Sequence, residues 1–170
     1  MFICNSQKYK FSKKYLYIPL RLDQDLPSSV TVEGSKLVLK DEFHVSLLCT
    51  KGLSSEVEEK ILDVFCKLTE TNDISFASFT GQYLFAERNS DNRKSLIAMC
   101  YLNGLKEIFT LIKQELDIHF DYESKHLTLY TLRKNEGIGI NSKKDIEKMT
   151  KDVSAQVPGQ IKEILFDLSK

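Results

Sequence analysis

Phe43-His44-Val45-Ser46-Leu47 and Lys125-His126-Leu127-Thr128-Leu129 are two copies of one pattern: histidine, apolar residue, hydroxyl residue, apolar residue. In a β-strand successive side chains leave on opposite faces, so His44 and Ser46 share one face, as do His126 and Thr128. Val45, Leu47, Leu127 and Leu129 then point the other way, into a core. Each copy sets an imidazole beside a hydroxyl on a strand anchored by its other face. The two copies stand 82 residues apart, and they predict two strands that meet across a groove. At average apolar usage one histidine falls into this pattern by accident roughly a few times in a hundred, and two of three on the order of once in several hundred. The third histidine, His119, lies in Asp117-Ile118-His119-Phe120-Asp121, with a carboxylate in the hydroxyl's place. It reads as a cap at the end of a helix, where a cationic side chain favours the negative dipole end.

The composition bounds the rest. A chain of 170 residues, 42% hydrophobic and 28% charged, suits one compact domain or one built of two similar lobes. Net charge is zero, which excludes global attraction to nucleic acid or to an anionic membrane, so any contact with a polyanion must come from a local patch. No run approaches a transmembrane helix, and Met1 to Ser6 lacks the apolar core of a signal peptide. Cys4, Cys49, Cys66 and Cys100 show no CxxC pairing. Cys49 and Cys100 fall in apolar strand patterns and Cys66 in a helical one, so these three read as buried free thiols, which suits a reducing compartment; a cytoplasmic protein is expected. No Asp, Glu or Cys stands at a short ligand spacing from either motif histidine, so neither a metal nor another cofactor is expected.

Working outward from the motifs, the lysines and aromatics interleaved from Lys8 to Tyr15 fit a nucleic-acid arm or a solvated lead-in, and the second reading is preferred. Tyr15 to Leu20 reads as a strand, and Val30 to Val32 with Leu37 to Leu39 as a hairpin around Glu33-Gly34-Ser35. Phe43 to Leu48 is the first motif strand. A helix starts at Ser54 or Ser55, with Val57, Ile61, Leu62, Val64, Phe65 and Leu68 at helical spacing. Ile74 to Phe79 and Tyr83 to Ala86 read as a strand pair around Thr80-Gly81, and Ser95 to Leu102 as a strong strand. Asn103-Gly104 opens a helix bearing Leu105, Ile108, Phe109, Ile112 and Leu116 on one face. His126 to Leu132 is the second motif strand. Ser142 to Asp145 resembles a capping box, and Pro158-Gly159 precedes a last amphipathic helix or strand. The fold class is α+β: two small, mainly antiparallel sheets meeting at the motif strands, with helices outside and a central groove.

His-Val-Ser-Leu and His-Leu-Thr-Leu resemble the paired signature of the two-histidine phosphoesterases, which include RNA ligase-like proteins and cyclic nucleotide phosphodiesterases. The likeness covers roughly residues 15 to 140 and includes the strand pair, strand and helix between the motifs. Gly-Ile-Gly-Ile after the second motif is similar to a bacterial branch associated with RNA repair. The resemblance implies a single bilobal domain over 1–170. It also implies metal-independent cleavage of a cyclic phosphate or a 2′–5′ linkage in RNA or a nucleotide, by a monomer that engages no membrane. Arg133 is the first basic side chain after the second motif, where relatives often place an arginine sooner.

The residues suit that chemistry unaided. Histidine titrates near pH 6.5, so one neutral imidazole can accept a proton while the other, charged, donates one. Ser46 and Thr128 would donate hydrogen bonds to the phosphate oxygens. Strand alternation places Tyr130 beside His126 as a substrate contact or a packing residue. Arg133 supplies local positive charge, while Lys51 and Lys125 carry little weight. Gly139, in Gly137-Ile138-Gly139, either approaches the phosphate or serves only a tight turn. A non-catalytic module that holds a nucleotide or RNA end in the same groove is the alternative reading.

Overall fold

The structure is a computed structural model and describes Cys4 and residues 7–168. Lys10–Ser12 (β1) pairs with Tyr15–Leu20 (β2) through a turn in which Lys13 and Lys14 take positive φ. The lysine-rich lead-in is therefore part of the sheet. Ser29–Val32 (β3) and Ser35–Leu39 (β4) form the expected hairpin, with Glu33 and Gly34 at φ 50° and 73°. Two central residues at positive φ give a turn whose twist matches its strands. Phe43–Cys49 (β5) carries the first motif. Ser55–Thr69 (α1) begins where the Ser54 hydroxyl accepts the Val57 N–H at 3.2 Å, satisfying one of the orphan donors of the first turn.

Thr80-Gly81 does not reverse the chain as expected. Ser75–Arg88 (β6) is one strand of 14 residues, and its register against Arg93–Asn103 (β7) slips between Phe79 and Tyr83, where Gly81 takes φ 88°. Glycine there absorbs extra residues as a bulge, which bends a strand without ending it. Leu105–Leu116 (α2) ends at Asp117, in the left-handed conformation, whose N–H donates to the Lys113 carbonyl at 2.9 Å. Asp117 thus fills the capping place expected of His119, which is exposed. His126–Thr131 (β8) carries the second motif, and Lys143–Met149 (α3), capped by Ser142, leads to a short strand, Thr150–Asp152 (β9). Gly159–Leu168 (α4) resolves the last segment as a helix.

The protein is α+β, but its strands form one sheet rather than two. The path runs β1-β2-β5-β8-β7-β6-β9, every pairing is antiparallel, and the β3–β4 hairpin joins through β4. The halves merge because β8 is paired on both edges, with β7 on one side and β5 then β4 on the other. One face is covered by helices. Leu16, Ile18 and Leu47 pack with Ile61 and Phe65 of α1 and Ile108 and Ile112 of α2. Val45, Leu127 and Leu129 pack with Ile161 and Leu165 of α4. Burying a leucine fully is worth about 2 kcal/mol, and a slip of one residue in β8 would turn Leu127 and Leu129 out and His126 and Thr128 in. On the opposite face Ile138 and Ile140 cover Leu84, Ala86, Ile97 and Met99. That cover stops short of β2, β5 and the start of β8.

Cys66, expected as a free thiol, is joined to Cys4 in a disulfide that ties the N-terminal segment to α1. Cys49 and Cys100 are free. Cys66 therefore no longer supports a reducing compartment; the two partners lie 62 residues apart, a spacing that carries no pairing signal. No helix among the described residues is long and apolar enough to cross a membrane. The reading of residues 1–6 as free of a signal peptide lies, Cys4 apart, outside the described residues.

Candidate active site

The uncovered part of the sheet is the floor of a groove of about 1060 Å³, and His44, Ser46, His126 and Thr128 all line it. Val45 pairs with Leu127 in the antiparallel ladder between β5 and β8. One step to either side, His44 stands opposite Thr128 and Ser46 opposite His126. Directly opposed residues on one face have Cβ atoms about 5 Å apart, so the two motifs make a square with imidazoles at one diagonal and hydroxyls at the other. Both hydroxyls and both rings face the same groove.

The charge of the wall is unlike that of the chain. Seven basic and two acidic side chains line the groove of a protein whose net charge is zero. Asp41, Arg88 and Arg93 are engaged in ion pairs with Lys134, Asp91 and Glu136. Lys10, Lys13, Arg21, Lys40 and Lys51 form no ion pair among the described residues. Lys51 lies 5.4 Å from the centroid of the Tyr15 ring. Lys40 is drawn over the histidines because its N–H donates to the Leu129 carbonyl of β8 at 3.0 Å. Burial pushes the Lys40 ammonium below its ordinary value, against the pull of Glu42.

Burial, then Lys40, pushes His44 down to about 4. His126 is also pushed down to about 4: burial acts first, then Lys125, His44 and Lys40, while the Ser124 carbonyl alone favours its charged form. His126 Nδ1 is buried with no hydrogen-bond partner among the described residues. Both imidazoles are therefore neutral at pH 7. The Tyr17 ring of β2 braces His44, with centroids 4.9 Å apart. Tyr17 follows from strand alternation, which sets Tyr15, Tyr17 and Pro19 on the groove side of β2.

Tyr130 does not line the groove. The register between β7 and β8 shifts at Leu96/Ile97, leaving Leu129 as the extra residue of a bulge. A bulge inverts the alternation beyond it, so Tyr130 turns into the core, fully buried, and its hydroxyl donates to the Pro27 carbonyl at 2.7 Å. Arg133 also stands off the groove: its guanidinium pairs with Glu136 and donates to the carbonyls of Asp91 and Asn92. Gly139 does line the groove, and a Cβ there would sit 2.5 Å from the Tyr15 hydroxyl. Its absent side chain is what lets Tyr15 close the wall. Asp121, which the sequence left unremarked, accepts the N–H groups of Glu123 and Ser124 and, through its other oxygen, that of Lys143 at 2.7 Å. Burial raises its pKa less than these donors lower it, so the carboxylate stays charged and locks the entry to β8.

Among the described residues no group of three or more His, Cys, Asp or Glu could hold a metal ion. No family model matches the chain, no curated protein matches it and no solved structure matches it.

Proposed function

We propose that the protein is a two-histidine phosphodiesterase that opens a cyclic phosphate, or cleaves a 2′–5′ linkage, at the end of an RNA or in a nucleotide. The observation that carries the reading is the square of His44, Thr128, Ser46 and His126 on the floor of a cationic groove. As water attacks phosphorus and the new P–O bond forms, one imidazole takes the water's proton. As the bond to the ribose oxygen breaks, the other imidazole gives its proton to that oxygen. Ser46 and Thr128 donate to the non-bridging oxygens while charge builds there. One ring must be charged for this, and burial with the neighbouring cations disfavours that state in both. The anionic phosphate supplies the missing counter-charge, because an opposite charge within about 4–6 Å favours the protonated imidazole. The bilobal architecture of the resembled family and a cytoplasmic setting belong to the same reading.

The test is hydrolysis of 2′,3′-cyclic nucleotides, ADP-ribose cyclic phosphate and 2′–5′ dinucleotides in EDTA. Turnover is expected from the intact protein, with His44→Ala and His126→Ala each losing most of it while staying folded. Activity that EDTA abolishes and a divalent metal restores would overturn the mechanism. The neutral state of both imidazoles also suits a second reading, a module that binds the same anionic ends without turnover. Saturable binding with no product at any pH would select it.

A further inference from the structure

A cation stands behind the histidine pair that the mechanism above leaves unused. Lys125, the residue before β8, is 7% exposed. Its ammonium donates to the Leu47 carbonyl of β5 at 2.8 Å and lies 5.8 Å from the centroid of the Phe109 ring of α2. Leu47 and Phe109 both belong to the core on the helix-covered face. His126, the next residue, lines the groove on the opposite face. Ammonium and imidazole thus stand back to back across one sheet. Ser46 links the two sides further, since it lines both the groove and a small cavity of about 60 Å³ that Lys125, Asp121 and Asn141 also line.

The charge of Lys125 is poorly answered where it sits. Leu47 offers the one hydrogen-bond acceptor within reach among the described residues. Asp121 is the carboxylate that acts on it, and that group already accepts three backbone N–H groups. The Cys100 thiol of β7 faces it too, but burial pushes that thiol up to about 12, so it carries no negative charge at neutral pH. Lys125 itself is pushed down by burial to about 8 and remains mostly charged at pH 7. A buried cation so weakly compensated costs stability, and an apolar residue of similar volume is often neutral or better in such a place. Its field on its neighbours is screened less than that of an exposed charge.

We propose that Lys125 is a positioning residue of this site: from the covered face of the sheet its ammonium holds His126 unprotonated, which makes His126 the proton acceptor and His44 the donor. The roles rest on the phosphodiesterase reading given above. Around His126 stand Lys125 behind it, Lys40 and His44 in the groove, and the Ser124 carbonyl. Around His44 stand the Tyr17 ring and Lys40, the one cation among the described residues that bears on its charge. When a phosphate arrives, His44 is the ring it can charge from solvent. His126 then removes the proton of the attacking water as the O–P bond forms, and His44 delivers its proton to the ribose oxygen as the old P–O bond breaks. The pair ends with His126 charged and His44 neutral, and exchange with solvent resets it.

The test uses the full chain with Lys125→Met, which keeps the stem and drops the charge, and Lys125→Arg, which keeps the charge. Imidazole titrations followed by NMR without substrate are expected to show about tenfold higher proton affinity at His126 in Lys125→Met, with His44 nearly unmoved and Lys125→Arg close to the parent. The acid limb of the pH–rate profile should move upward in the same variant, and Lys125→Met should resist denaturant at least as well as the parent. An unmoved His126, or His44 rising as much as His126, overturns the proposal. A rise at His126 alone in a protein that turns over no cyclic phosphate overturns the phosphodiesterase reading, and with it the acceptor role, while the electrostatic coupling stands.

Discussion

Each side chain of the motif square is asked to do something different from simple binding, and the hydroxyls test this most sharply. If Ser46 and Thr128 act on charge that develops during reaction, Ser46→Ala and Thr128→Ala lose kcat more than affinity. The expected loss is about 3 kcal/mol, on the order of a hundredfold in rate, for each. Steady-state kinetics decide it, and equal modest losses of affinity with kcat intact would leave the hydroxyls as binding groups. Tyr130 is the counter-case. Its hydroxyl meets the Pro27 carbonyl in the core, so Tyr130→Phe should cost about 1 kcal/mol of stability and leave turnover unchanged. A fall in kcat without a fall in stability would return Tyr130 to the site. The four motif residues were legible because period two is a strong signal over a tetrapeptide. Tyr130 was misplaced because a bulge is set by how β7 and β4 grip β8, and neither strand's hold shows in the residues of β8 itself.

The elements were legible wherever a local rule governs them. Ser54 caps α1, Glu33-Gly34 turns the hairpin, and the apolar faces of α1 and α2 lie where their spacing put them. What failed was the relation between elements. Gly81 bulges a continuous strand because β7 pairs with β6 on both sides of it, and one sheet replaces two because β8 is shared. The lysine-rich segment around β1 joins the sheet and brings Lys10 and Lys13 to the groove, which its composition alone could not decide. That segment is held at its start by the Cys4–Cys66 disulfide, and closing a loop across 62 residues removes about 4 kcal/mol of unfolded-state entropy on the chain-entropy account. Reduction by dithiothreitol, or Cys4→Ser with Cys66→Ser, should therefore lower the midpoint of urea unfolding and steepen its slope, because the freed unfolded chain is more expanded. An unchanged midpoint would mean that β1 and α1 are held by packing alone.

At the scale of the molecule, a net charge of zero conceals a groove with an excess of cations, and the histidines at its floor record that field. Burial and then the lysines hold both rings near 4, whereas the unfolded chain releases their protons near 6.5. Between those values the unfolded state binds more protons than the folded one, so acid drives unfolding. The contribution of the pair is complete above pH 6.5, declines as the pH falls and is lost below about 4. For a depression of this size each ring is worth up to about 3 kcal/mol, large against total stabilities of about 5–15 kcal/mol. The ion-paired carboxylates act lower. Asp91, held down by Arg88, and Asp117, held down by Lys113, lose their contribution only as the pH falls below about 4. The window from pH 6.5 to 4.5 therefore reports the histidines. Urea midpoints should fall across it in the parent and much less in His44→Gln with His126→Gln. Saturating inorganic phosphate, by favouring the charged ring in the folded state, should flatten the parent's curve as well. An equal fall in parent and double variant would show that the rings are not held neutral, and the roles assigned to them would have to be reversed or abandoned.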